Sequence, residues 1–311
     1  MALDLTVDLA RTHKQELRLT NPVMTASGTF SNGLEFARHH DVDRLGAIVS
    51  KGTTLRPRQG NPLPRTVETA AGMINSIGFQ NIGAGKLIRE VAPVWARWNV
   101  PVLVNIMGDT VGEYGQLAAR LDGVPGVAGL ELNISCPNVE RGGLEFGQEP
   151  EPAAAVVAEV LRNSSLPFSV KLSPSIPDVR PIVEAISAAG AGAITVANTI
   201  EAMAIDIDRR RPAIATVFGG LSGPAIKPIA LRNVFLAASA TDLPIIASGG
   251  IMTGRDAIEF LMAGASAVQV GTATFRDPDA PWRILDELIA WCEAEGVQSL
   301  GEIIGVARRR D

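Results

Sequence analysis

Short apolar runs that end in small or polar residues, each followed by a stretch of helical period, recur from Pro22 to the end of the chain. The runs occupy 23–27, 47–51, 100–105, 129–135, 168–172, 193–198, 244–248 and 267–271. They read as strands buried on both faces, which need no polar alternation. Helical candidates lie between and after them, at 33–40, 83–98, 111–121, 151–163, 177–189, 228–240, 255–263 and 281–295. Eight strands alternating with helices over 311 residues predict an α/β fold, a (β/α)8 TIM barrel rather than an open doubly wound sheet. Ahead of the barrel, Leu5, Val7 and Leu9 alternate, a polar turn follows at 11–14, and Leu17 and Leu19 alternate again. This predicts an N-terminal β-hairpin that caps the domain. Two connections, 53–82 and 199–227, are too long for simple turns. Both leave the carboxyl ends of strands, where long loops serve as lids or binding walls. No repeat or linker divides the chain, so 1–311 is expected to form one domain.

A hydrophobic content of 46% is enough for a large core, and a net charge of −5 weighs against nucleic acid or an anionic membrane as a partner. The first residues carry Asp4 and Asp8 and lack a basic start before an apolar run, so no signal peptide is visible and a cytoplasmic protein is expected. Two cysteines, Cys136 and Cys292, and three histidines, His13 and the pair His39-His40, provide no disulfide framework and no metal-ligand spacing. No metal site is expected, and any redox chemistry requires an organic cofactor or a second subunit. Cys292 beside Trp291 reads as core, the histidines as surface or helix-end residues, 206–211 as a solvated lid of mixed charge, and 308–310 as a solvated tail.

Candidate chemistry collects at the strand ends. Leu130, Leu132 and Ile134 alternate as a strand requires, and Pro137, lacking an N–H, stops the ladder. Cys136 therefore lies just past a strand's carboxyl end, flanked by Asn133 and Asn138, on the rim where barrels bind ligands. A lone cysteine is ordinarily a small buried hydrophobe, so its neighbours matter. In chain order the strand ends supply Ser27-Gly28, Lys51-Gly52, Asn105, Asn133, Lys171, Asn198-Thr199, Ser248-Gly249-Gly250 and Gly271-Thr272. Tight turns account for many of the glycines. They do not account for Lys51 and Lys171, whose charge is costly to bury without a partner and points to an anionic or electron-rich ligand. The glycine turns after the seventh and eighth strands, joined by Gly223, suit the phosphate of a cofactor. No Gly-x-Gly-x-x-Gly turn follows the first strand, so a Rossmann site is not supported.

These residues resemble a known family over nearly the whole chain. The segments Asn133-Ile134-Ser135-Cys136-Pro137-Asn138, Asn75-Ser76-Ile77-Gly78-Phe79-Gln80-Asn81, Asn198-Thr199-Ile200 with Met203-Ala204-Ile205-Asp206, and the run from Gly219 to Pro228 are similar to class 1 dihydroorotate dehydrogenases, most of all the class 1B catalytic subunit. Phe79 stands where many relatives have Leu. The resemblance implies FMN-dependent oxidation of dihydroorotate to orotate in pyrimidine synthesis. Cys136 would be the base. Lys51, Asn75, Ser76, Ile77, Gly78, Phe79, Asn133, Asn138, Asn198 and Thr199 would bind the substrate. Ser27, Gly28, Lys51, Gly52, Asn105, Asn133, Lys171, Ala197, Gly223, Gly249, Gly250, Gly271 and Thr272 would hold FMN, with Lys171 near the N1–C2 carbonyl side. Class 1B implies that electrons reach NAD through a partner subunit carrying FAD and a 2Fe-2S cluster, and that two copies of this chain form the core of a heterotetramer. The alternatives are a fumarate-reducing class 1A enzyme, a dihydrouracil dehydrogenase subunit, a tRNA dihydrouridine synthase, and a non-catalytic flavin-binding subunit.

Overall fold

The computed structural model describes every residue except 1–2, 11–12, 136, 139–143, 175 and 310–311, and describes 137–138 and 144–145 by their backbone alone. Eight parallel strands form the centre: β1 (Val23–Thr25), β2 (Ile48–Val49), β3 (Val102–Ile106), β4 (Gly129–Asn133), β5 (Phe168–Lys171), β6 (Ala193–Val196), β7 (Ile245–Ser248) and β8 (Ala267–Val270). The sheet runs in sequence order from β2 to β8, with β1 paired to β8. A parallel bridge between Met24 and Ala47 joins β1 to β2 and closes the ring. Seven of the eight strands lie within the expected runs and β3 passes its run by one residue, Ile106, because strands covered on both faces betray themselves as continuous apolar stretches.

The helices follow from local chemistry. At Val111–Leu121 the Thr110 hydroxyl accepts from the N–H of Glu113, and Tyr114, Leu117, Ala118 and Leu121 form one buried stripe at the spacing of a helix face. Gly123, with φ near +70, then turns the chain away. At Gly254–Ala263 a Thr253–Asp256 capping box starts the helix and left-handed Gly264 ends it. The expected helix 83–98 is three consecutive pieces, with a π turn at Leu87–Val91 between Ala84–Lys86 and Ala92–Trp95. The wider turn accommodates Pro93, whose ring would collide with the carbonyl four residues back.

The expected helix at 33–40 is not formed; only one 3-10 turn, Phe36–Arg38, appears there. Ser31 and Gly33 both have positive φ, and Phe36 stacks on Phe30 and leans on Trp282. Too little chain is left for a stable helix. His40 stacks on Trp282, whereas His13 is half-buried, its Nε2 3.1 Å from the carbonyl of Gly190 and its ring edge-on to Phe168. It is therefore not the surface residue that its turn position suggested. The hairpin is present as Val7–Asp8 paired antiparallel with Arg18–Leu19.

The two long connections are not loose lids. Thr66–Thr69 and Gly72–Asn75 from one, and Ile200–Met203 and Phe218–Ser222 from the other, build a four-stranded antiparallel sheet at the carboxyl end of the barrel. The segment read as a solvated lid starts in a small hairpin, Ile205–Asp206 with Arg211–Pro212. The pairing of the four-stranded sheet is set by partners far along the chain, which local periodicity cannot reveal.

Candidate active site

A cavity of about 600 Å³ opens at the carboxyl ends of the barrel strands, beneath this upper sheet. Lys51 follows β2, Asn105 lies near the end of β3, Asn133 ends β4, Lys171 ends β5, and Asn198-Thr199 follow β6, so five barrel strands deliver a polar residue at or just past their carboxyl ends to the same space. The upper sheet and its approach supply Asn75, Ser76, Ile77, Gly78 and Phe79 from one side and Gly223 from the other. Ser27, Gly28, Gly52, Ala197, Gly249, Gly250, Gly271 and Thr272 complete the expected set around the wall. Cys136 lies outside the described residues, and of Asn138 the backbone alone is described, paired antiparallel with Leu144. Pro137, expected to stop pairing, ends no ladder of its own; β4 already stops at Asn133, and Pro137 opens this separate pair of short strands.

The amides of the cavity are oriented by their neighbours. Asn133 Oδ1 accepts from the N–H of Ser135 at 3.2 Å and from Asn198 Nδ2 at 3.4 Å, which leaves its own Nδ2 as a donor toward the cavity. Tyr114 Oη donates to the Asn133 carbonyl at 2.6 Å and anchors the end of β4 from the adjoining helix. Asn75 Nδ2 donates to the carbonyl of Gly220, leaving its oxygen as an acceptor. Asn133 thus offers the cavity a donor and Asn75 an acceptor, which suits a planar ring that carries carbonyls and N–H groups.

Lys51 is half-buried at the cavity wall. No carboxylate lies within ion-pair distance of it among the described residues. Burial holds its ammonium below the usual lysine range, and the nearby Arg65 guanidinium pushes it in the same direction. An anionic ligand would relieve both effects. Lys171 differs from expectation: its burial is already answered by Glu131, whose Oε1 lies 3.7 Å from Nζ, and by Gln269, whose Oε1 accepts from Nζ at 3.2 Å. The signal was available as a carboxylate, Glu131, at an inward position of an otherwise apolar strand, which demands donors inside the barrel.

Part of the cavity wall is glycine backbone. Gly249 and Gly250 have φ of +126 and +77, and a Cβ at Gly250 would come within 2.6 Å of Lys227. The N–H groups of Gly249, Gly250 and Thr272 donate to no acceptor among the described residues. Unengaged amides on a glycine-lined concavity suit a phosphate group. Two buried polar side-chain atoms near the cavity, Asn105 Oδ1 and Ser135 Oγ, also lack a partner among the described residues. Sequence reading missed several wall residues: Met73, Glu201 and Phe218, which the upper sheet brings in from remote positions, Asn61 in the connection that precedes that sheet, and Ser173 two residues past the end of β5. No cluster of potential metal ligands occurs among the described residues, and none of their helices is long and apolar enough to cross a membrane.

Comparison with known proteins places these features in context. The family model described as dihydroorotate dehydrogenase matches residues 9–291. The chain is 53% identical over 289 residues to the "Dihydroorotate dehydrogenase B (NAD(+)), catalytic subunit" of Geobacter sp. (strain M21), covering 93% of this chain and 95% of the relative. It is 52% identical over 293 residues to the protein of the same description from Desulforudis audaxviator, covering 94% and 95%. Among solved structures, the crystal structure of DHODH from Eimeria tenella in complex with ferulenol superposes with a TM-score of 0.81, covering 99% of this chain and 89% of that one at 24% identity. That likeness concerns the fold.

Proposed function

Because the chain belongs to the dihydroorotate dehydrogenase family, we propose that it is the catalytic subunit of an NAD-linked enzyme that oxidises (S)-dihydroorotate to orotate in pyrimidine synthesis. The observation that carries this reading is the convergence of Lys51, Asn75, Asn133, Lys171 and Asn198 on one cavity that ends in a cradle of free backbone amides.

The residues present fit FMN. Gly249, Gly250 and Thr272 offer N–H groups to its phosphate, and the unpartnered Asn105 Oδ1 offers an acceptor to a ring N–H. Ser27, Gly28, Gly52, Ala197, Gly223 and Gly271 line the rest of its berth, and Lys171 supplies a cation beside the ring. Bound FMN would supply the two-electron acceptor for the hydride that leaves C6 of the substrate. The protein's own part is binding, orientation and proton removal. Lys51 attracts the substrate carboxylate, and Asn75, Asn133, Asn138, Asn198 and Thr199 meet the ring amides in paired fashion. Ser76, Ile77, Gly78 and Phe79 close over it and exclude water. Cys136 takes the C5 proton, which the adjacent carbonyl acidifies.

Relatives named as catalytic subunits support a division of labour. In this reading electrons leave through a second subunit that carries FAD and a 2Fe-2S cluster, two copies of this chain form the core of a heterotetramer, and the assembly works in the cytoplasm. An anaerobic visible spectrum before and after dihydroorotate, with dihydrouracil as control, tests the reading. Bleaching of flavin absorbance by dihydroorotate alone is the expected result. Bleaching by dihydrouracil, or by neither, overturns the substrate assignment, and purification without any flavin overturns the cofactor.

A further inference from the structure

Behind the cavity wall lies a buried carboxylate that the proposed reaction does not use. Glu131 is fully buried on β4, inside the barrel, and four donors converge on it. Its Oε1 accepts from Asn105 Nδ2 at 2.7 Å and lies 3.7 Å from Lys171 Nζ. Its Oε2 accepts from Gln269 Nε2 at 2.6 Å and from Thr195 Oγ1 at 3.1 Å. Gln269 sits on β8, across the ring from β4, so the cluster spans the barrel.

A carboxylate accepts at both oxygens and donates at neither, so it dictates how the amides around it turn. Asn105 must give its NH2 to Glu131, which leaves Oδ1 buried, without a partner, at the cavity wall. Gln269 must likewise give its NH2 to Glu131, which aims its oxygen at Lys171. We propose that Glu131 is a positioning residue that sets the hydrogen-bond polarity of the cofactor-facing floor, presenting Asn105 as an acceptor and holding the Lys171 ammonium in place. The proposal rests on the FMN reading above.

Glu131→Gln is the sharp test, because it keeps shape and removes one acceptor. If the new amide NH2 faces Asn105, that side chain turns over and presents its NH2 to the cavity. If it faces Gln269, that side chain turns over and brings its NH2 against Lys171. Either way one floor group is reversed. The exchange E131Q/Q269E moves the carboxylate from β4 to β8 and satisfies the whole cluster again. Asn105 then donates to the oxygen of the amide introduced on β4, and the NH2 of that amide donates to the carboxylate introduced on β8. Lys171 pairs with the same carboxylate, and Thr195 keeps Ser169 Oγ, 3.2 Å away, as its acceptor.

FMN is titrated into the flavin-free wild type, E131Q and E131Q/Q269E, reading the dissociation constant, the visible absorption maxima of bound flavin and the unfolding temperature without flavin. Expected are an affinity at least about tenfold weaker and shifted maxima in E131Q, and return to within about threefold of wild type in the exchange variant. Wild-type affinity and spectrum in folded E131Q, whatever its unfolding temperature, mean a role in folding alone and overturn the proposal. So does an exchange variant as weak as E131Q. Should E131Q not fold, the exchange variant decides: it must fold and bind FMN within that threefold margin, and its failure to do so overturns the proposal. A wild type that binds no FMN sinks the cofactor reading itself, and the proposal with it, which separates the two failures.

Discussion

The side-chain amide of Asn81 donates to the carbonyl of Phe79 at 2.7 Å and to Thr54 Oγ1 at 2.9 Å. Its oxygen accepts from the N–H groups of Gly83 and Thr54. One buried amide thus ties the loop that carries Gly78 and Phe79, both at positive φ, to the stretch that follows the second barrel strand. Asn81→Ala strands several buried donors and acceptors and should cost about 1–3 kcal/mol. With Phe79 no longer held, KM for dihydroorotate should rise more than kcat falls. Urea unfolding and steady-state kinetics check both parts, and an unchanged KM would separate Asn81 from the cavity wall.

Lys51 gives the site an alkaline limb. Its ammonium titrates below the usual lysine value, chiefly through burial, so as pH rises the charge that attracts the substrate carboxylate disappears early. The kcat/KM for dihydroorotate should fall on the alkaline side at a pH below that of an ordinary lysine. A guanidinium does not titrate there, so Lys51→Arg should lose this limb while retaining the contribution of other groups. A pH profile of kcat/KM in which both proteins fall together would reassign the limb.

Cys136→Ala should retain FMN and lose about 10²–10⁴-fold in turnover at neutral pH, the usual contribution of a positioned acid or base. Flavin absorbance measures retention, and stopped-flow flavin reduction measures the loss. Near-normal reduction would remove Cys136 from proton transfer.

Gly220 has no room for a side chain, since a Cβ there would lie 2.0 Å from Thr199 Oγ1. Gly220→Ala must displace Thr199 or part the strands that join the two long connections. The expected loss is on the order of 10²-fold in kcat/KM, as for other small misplacements of binding groups. The upper sheet lies outside the barrel core, so barrel unfolding should change by less than about 1 kcal/mol. Kinetics and thermal unfolding together test this. A large loss of stability with normal kinetics would contradict it.

His13 ties stability to pH. Burial holds its imidazole below the ordinary 6.5, so the folded state favours the neutral ring. A lowered histidine value leaves stability intact above the unfolded value and erodes it as pH falls from there through the folded value. His13→Gln should therefore lose less stability than wild type between about pH 7.5 and about pH 5.5 in urea unfolding. Equal losses would show that other groups dominate this window.

The sequence by itself determined the barrel. Eight apolar runs, the glycine turns and the polar residue at each strand end follow from burial and backbone sterics, which act over a few residues. The side chains at the rim were equally legible, because a charged or amide residue at the end of a buried strand has nowhere else to point. Only the tertiary structure decided what those side chains face. The upper sheet pairs Asn75 with Gly220, and the barrel interior brings Glu131 on β4 to Gln269 on β8, Asn105 on β3 and Lys171 on β5. The pairings of Asn75 with Gly220 and of Glu131 with Gln269 join partners 145 and 138 residues apart. Hydrogen-bond polarity is a property of the pair and not of either residue, so the direction in which Asn105 turns, and the reason Lys171 tolerates burial, were fixed only when the ring closed.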